Sequence, residues 1–183
     1  MLTHKGTQTI KTHRLVLRRF RTDDAKAMFE NWAGDDEVTK YLTWPTHSNV
    51  ETSEWVLKDW ISSYQNDDFY TWAIEFEGQA IGSISVVKKN DDIRKAEIGY
   101  CIGRNWWHKG IMGEALKAVM DYLFDEIGMN RISACHDPRN PNSGRVMEKC
   151  GMKYEGTFRQ SGRNNQGICD ERYYSLLRSE RCD

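Results

Sequence analysis

Alternation opens the chain. In Arg14-Leu15-Val16-Leu17-Arg18-Arg19-Phe20 the residues Leu15, Leu17 and, in the same register, Arg19 share one face, which is the period of a half-buried strand. Thr22-Asp23-Asp24 then offers N-cap chemistry, and Ala25, Met28, Phe29 and Trp32 recur at helical spacing up to Gly34. Residues 35–64 read as a second helical stretch, broken at Trp44-Pro45 and resuming near Glu51, with Trp55, Leu57, Trp60 and Ile61 as its apolar positions. Core packing is the first expectation for these aromatic residues and the wall of a pocket the second.

Three strands follow in quick succession. Residues 69–76 and 80–88 flank the hairpin-type turn Glu77-Gly78-Gln79, and Asn90-Asp91-Asp92 separates them from 95–102, so an antiparallel meander is expected. From Gly110 onward Ile111, Met112, Ala115, Leu116, Val119, Met120, Leu123, Phe124 and Ile127 form one broad stripe of period 3.6, ended by Gly128. Residues 131–135 read as a short buried strand, and 143–150 as a short helix stopped by Gly151. Residues 152–158 and 168–177 read as a closing strand pair around a polar loop, 159–167. No repeat, low-complexity segment or linker divides the chain. The expectation is one α+β domain over residues 1–183 with a central mixed sheet.

Composition narrows the partners. At 183 residues one core can be built without staples, and 26 basic against 27 acidic residues leave a net charge of -1, which gives no global reason to expect nucleic acid or an anionic membrane as partner. Residues 1–10 are polar and no apolar run reaches the roughly 18 residues of a membrane span, so a cytoplasmic protein is expected. Cys101, Cys135, Cys150, Cys169 and Cys182 are odd in number and scattered, a pattern of reduced thiols rather than of disulfides or zinc, and no metal is expected.

Chemistry concentrates in three segments. The first is Lys95-Ala96-Glu97-Ile98-Gly99-Tyr100-Cys101-Ile102, whose alternation puts Ile98, Tyr100 and Ile102 on one face and Glu97, Gly99 and Cys101 on the other. A carboxylate in a partly dry cleft holds its proton more tightly than one in water, which suits a general base; the competing expectation for Glu97 is a sheet-face carboxylate paired with Lys or Arg. The second is Trp106-Trp107-His108-Lys109-Gly110-Ile111-Met112-Gly113-Glu114-Ala115, a glycine-punctuated loop entering the long helix. The unpartnered N–H groups and dipole of a helix start suit a phosphate, and Gly110 and Gly113 let backbone approach it. In the third, Asp137 to Gly151, two prolines and two asparagines fix a loop before a short helix, with Asn142 or Ser143 as N-cap; the two helix starts then face one cleft.

These motifs, in this order, resemble the GCN5-related N-acetyltransferase (GNAT) superfamily and, within it, the ribosomal-protein N-terminal acetyltransferase (RimJ/RimL) type. The resemblance rests on Arg14-Leu15-Val16-Leu17-Arg18, Ala96-Glu97-Ile98-Gly99-Tyr100, Trp107 to Ala115, Asn140-Pro141-Asn142-Ser143 and Glu148-Lys149-Cys150-Gly151, and spans nearly the whole chain. It implies a mostly antiparallel mixed sheet splayed around acetyl-CoA, with helices on both faces. The pantetheine arm would run along Tyr100, Cys101 and Ile102, and the pyrophosphate would sit on the backbone of His108, Lys109, Gly110, Ile111, Met112 and Gly113, with Arg104 and Lys109 near in sequence. Asn140 matches an asparagine that contacts the cofactor, and Ser143 a serine near the thiol that helps protonate it. Trp107 and Met112 depart from the acetyl-CoA signature, Met147 stands where many members carry a tyrosine acid, and the acidic residue of the late loop near Gly162 is absent.

The resemblance thus implies direct acetyl transfer from acetyl-CoA to a primary amine, with Glu97 as base and Asp170 and Glu171 as runners-up. A cysteine route through Cys101 or the Cys135-His136 pair is disfavoured, because neighbours on a strand point to opposite faces. A protein N-terminus is the first acceptor and a small amine (polyamine, amino acid or aminoglycoside) the alternative; a silent acyl-CoA-binding module is the rival from another class. The sequence does not set the oligomeric state, and a homodimer is one option.

Overall fold

The computed structural model of the chain describes residues 2–181, so Cys182 lies outside the described residues. One sheet of eight strands runs through it: β1 (Ile10–Lys11), β2 (Leu15–Arg18), β3 (Thr71–Phe76), β4 (Gln79–Asn90), β5 (Lys95–Ile102), β6 (Arg131–His136), β7 (Lys153–Asn164) and β8 (Gly167–Leu177). The spatial order is β1-β2-β3-β4-β5-β6-β8-β7, and all neighbours are antiparallel except β5 and β6. The turn between β3 and β4 is tighter than expected: Glu77 (φ 50°) and Gly78 (φ 81°) are both left-handed, which matches the twist of a two-residue hairpin.

Helices cover both faces. On one, α1 (Ala25–Met28) and α3 (Val50–Ser63) pack Phe20, Met28, Trp32, Leu57 and Tyr64 against Ala73, Ala80 and Cys101 of the sheet; α2 (Asp36–Thr39) precedes α3. On the other, α4 (Ile111–Tyr122) and α5 (Pro141–Lys149) close over Leu15, Leu17, Ile74, Ile84, Ile98 and Ile132. All nine apolar residues of the α4 stripe are buried, and Gly128 ends it in the left-handed conformation (φ 87°) after a π turn at Leu123–Ile127.

Four local expectations are corrected. Arg18, not Arg19, is the buried arginine: it turns from the Leu15/Leu17 face to a bidentate pair with Asp24 (2.7 and 2.8 Å) and a contact with Glu75 (2.5 Å), an arrangement that holds its guanidinium charged. Trp55 is 72% exposed, because α3 turns Leu57 inward and Trp55 to solvent. The N-cap of α5 is Asn140, with Pro141 at the first helical position, so Asn142 and Ser143 lie inside the first turn. The polar segment 159–167 is chiefly strand: β7 and β8 pair down to Asn164↔Gly167, leaving only Asn165-Gln166 as the turn, with irregular register between Phe158 and Gly162.

Candidate active site

The opening at the centre of the sheet follows from one short parallel ladder. β5 and β6 pair only at Lys95↔Arg131, Ala96↔Ile132 and Glu97↔Ser133; beyond Glu97 they diverge. A cleft of about 480 Å³ lies in the splay, lined by Ile98 to Cys101 from β5, Cys135 and His136 from β6, and Asn140 and Ser143 at the start of α5. A concavity of about 530 Å³ beside Phe29, Gly34 and Arg104 holds none of these groups.

The two faces of β5 carry different chemistry, as alternation demands. Ile98 and Ile102 join the core beneath α4, and Tyr100 packs on that core with its hydroxyl donating to the Ser143 carbonyl (2.9 Å) and 3.1 Å from Ser143 Oγ. Burial pushes the Tyr100 hydroxyl well above the usual tyrosine range. On the opposite face Cys101 lies against Ser83 (3.3 Å) with its thiol pushed up by burial. Glu97 is on that face too, 6% exposed, and its one basic neighbour within 4 Å among the described residues is Lys88 (3.4 Å). The attraction of Glu97 raises the Lys88 ammonium above its usual value.

Glu171 reaches the same region from β8. A Cβ added at Gly162 would lie 2.6 Å from its carboxylate, so a carboxylate from β8 lies against the late loop's Gly162. Glu171 accepts from Ser161 Oγ (2.7 Å) and contacts Cys135 Sγ (3.6 Å), whose thiol is pushed up to about 12 by burial and by Glu171 and Glu97. Asp170 is engaged elsewhere, accepting the backbone N–H of Gln160. Cys135 and His136 face opposite ways: His136 Nδ1 meets the Asp137 carbonyl (2.8 Å), while Nε2 is buried without a partner against Gly144.

The anion loop has the geometry its glycines suggest. Gly110 is left-handed (φ 75°) at the start of α4, and the first intrahelical bond is Glu114 N–H to Gly110 C=O, so the N–H groups of Ile111, Met112 and Gly113 precede it without a partner among the described residues. His108 is also left-handed (φ 61°), a strained choice for a residue with a Cβ. Arg14, read only as a strand residue, braces the loop, donating to Lys109 C=O (3.0 Å) and Glu114 Oε2 (2.7 Å). His108 and Lys109 are exposed beside it, whereas Arg104 is drawn away to Asp35 (2.6 Å). Asn140 caps α5 without using its side chain, which leaves its amide free among the described residues. Main-chain donors at a helix start, a free amide and an unpaired strand edge fit a pyrophosphate joined to an amide-bearing arm, so the residues present suit acetyl-CoA.

A lacing that sequence reasoning missed closes the far wall. Asn165, at the hairpin tip, donates its N–H to Leu42 C=O (3.2 Å) and its amide to the carbonyls of Thr39 (2.9 Å) and Trp44 (2.8 Å). Its neighbour Asn164 donates to Asp137 (2.8 Å). Trp44 and Trp60 face the cleft, while Trp32 is core. The Asn165 bonds join residues over a hundred positions apart, and no local pattern announces them. No helix among the described residues is long and apolar enough to cross a membrane, and no group of three or more His, Cys, Asp or Glu among them could hold a metal.

Comparison with known proteins agrees with this geometry. Residues 14–153 match the model of the acetyltransferase (GNAT) domain. The N-acetyltransferase p20 of Bacillus licheniformis, itself uncharacterized, is 31% identical over 94% of this chain and 98% of its own. The ribosomal-protein uS5 alanine N-acetyltransferase of Escherichia coli is 39% identical over 59 residues, 32% of this chain and 30% of its own. A GNAT-family acetyltransferase structure from Bacillus anthracis superposes with a TM-score of 0.82 at 30% identity, over 94% of this chain and all of its own. The family model covers most of the chain, including both strands of the splay, and the chain belongs to the GNAT family of acetyl-CoA-dependent N-acetyltransferases.

Proposed function

We propose that this acetyltransferase acts on the α-amino group of a protein N-terminus, with Glu97 as general base. The observation that carries the reading is the environment of Glu97: a buried carboxylate with, among the described residues, a single, largely exposed counter-ion, opening on the cleft from the face opposite the Tyr100–Ser143 pair. An amine entering from the Glu97 face meets a thioester lying along the Tyr100 face at the splay. There its nitrogen attacks the carbonyl carbon, the carbon–sulfur bond breaks, and Glu97, directly or through water, takes the amine's proton. The free edge of β5 offers N–H groups to the carbonyl oxygen, and the Ser143 hydroxyl returns a proton to the departing thiolate.

An α-amino group, with a pKa of about 8, keeps a useful neutral fraction at pH 7, whereas a lysine side chain near about 10.4 needs much stronger tuning. The segment shared with the ribosomal-protein uS5 enzyme supports the same acceptor. A small primary amine is the second reading, favoured by the Asn165 lacing, which fastens the hairpin tip to residues 39–44 beside the cleft. Incubation with acetyl-CoA and short peptides bearing free N-terminal Ala or Ser, followed by mass-spectrometric mapping, is expected to place acetyl on the α-nitrogen. Acetylation confined to lysines, or turnover of polyamines and aminoglycosides but of no peptide, overturns the choice of acceptor.

A further inference from the structure

We propose that Lys88 is a displaceable stand-in for the acceptor: its primary ammonium occupies, beside Glu97, the place that the substrate's amine takes, and it withdraws to solvent when the substrate enters. This rests on the reading that the amine meets Glu97.

The arrangement begins with a β-bulge. β4 and β5 are in register at Val86↔Ile98 and again at Lys88↔Glu97, so Val87 is one residue too many. A bulge re-aims side chains locally. Without it, simple alternation would set Val87 opposite Glu97; with it, Val87 leans over Gly99, where an added Cβ would lie 2.9 Å from Val87 Cγ1, and Lys88 takes the position beside the carboxylate. The strand thus spends its irregularity on placing a cation at this spot.

The pair is unequal. Glu97 has a side chain 7% exposed, and Lys88 one that is 71% exposed. The contact is long, 3.4 Å, and Glu97 makes no other ion pair among the described residues. Facing the pair from neighbouring strands are Cys135 on β6 and Glu171 and Tyr173 on β8, none of them a cation. A buried carboxylate has about four lone-pair positions to fill, and one distant ammonium leaves most of them open. The ammonium of Lys88 and that of an acceptor are the same chemical group, so they compete for one seat. Lys88 costs little to move because its stem is already in water.

The competition predicts opposite effects from two substitutions, measured at pH 8 with a short peptide bearing a free N-terminal Ala or, if that is not turned over, the best amine of a small panel. Lys88→Met keeps the length, removes the competitor, and is expected to lower the KM of the amine about two- to fivefold, the effect falling on KM and not on kcat. Lys88→Arg supplies a forked partner that holds carboxylate more firmly, and is expected to raise that KM. A merely structural lysine gives the reverse order, with Met damaging and Arg rescuing, and that result overturns the proposal. In the Glu97→Gln background, binding of the amine with CoA present is expected to be indifferent to Lys88→Met; a persisting gain shows general repulsion and also overturns it. Full kcat in Glu97→Gln alone removes the base assignment instead, so the two failures are distinct.

Discussion

At the scale of a residue, burial and pairing decide what a carboxylate can do. Asp24 and Glu97 are equally buried, at 6% exposed, but Asp24 is locked bidentate to Arg18 and also accepts the N–H of Arg21, whereas Glu97 has only the long ion pair with Lys88 among the described residues. The first is structure and the second is available for chemistry. Loss of a general base typically costs about a hundred- to ten-thousand-fold in rate. Glu97→Gln is therefore expected to lower kcat at least about a hundredfold while the KM of acetyl-CoA stays close to the wild-type value, as read by steady-state kinetics. A variant that keeps its kcat and shows only a raised amine KM would move the base to Glu171, whose carboxylate lies against Gly162, or to solvent.

Among the elements, α5 shows how tightly one wall of the cleft is fitted. Its first turn carries Ser143 and rests on β6 through Gly144, where an added Cβ would come within 2.5 Å of His136 Nε2 and 3.0 Å of Cε1. His136 is itself wedged between α5 and Tyr174, with ring centroids 5.7 Å apart, and burial holds it toward the neutral form. Gly144→Ala must push the helix or the ring aside, and overpacking of this kind costs about 1–3 kcal/mol. The expected outcome is a lower urea midpoint together with a raised KM for acetyl-CoA, since Ser143 and Asn140 move with the turn. Unchanged stability and KM would mean that α5 has room the packing does not show.

For the whole molecule, the lacing around Asp137 ties the loop after β6 to the hairpin tip and, through Asn165, to residues 39–44. Burial alone would raise the Asp137 carboxyl, but Arg139, through its side chain and backbone N–H, and Asn164 hold it down at about 2. A folded value below the unfolded 3.8 stabilises the protein above about pH 4, and that contribution is lost as pH falls through about 2. The shift corresponds to about 2 kcal/mol. Asp137→Asn is expected to be less stable than the wild type by about that amount at pH 7, with the gap closing between about pH 4 and pH 2 in chemical denaturation. A gap that persists at pH 2 would assign the loss to packing rather than charge.

What the sequence determined by itself is what rests on local periodicity and local turn chemistry. The nine-residue stripe of α4, the alternation of β5, the glycine-bounded helix ends and each single motif of the GNAT resemblance are written within about twenty residues, because helix and strand periods act between near neighbours. Boundaries failed where polar residues hid a strand, at 159–164, since an edge hairpin exposed on both sides carries no hydrophobic period. Only the tertiary structure decided what surrounds Glu97. Lys88 reaches it through a bulge, Glu171 arrives from β8 beside a glycine, and Asn165 fastens two loops that the sequence keeps far apart. Register and long-range hydrogen bonds depend on which strands meet, and strands meet to bury both sides of a shared sheet, a property of the assembled core that no single segment contains.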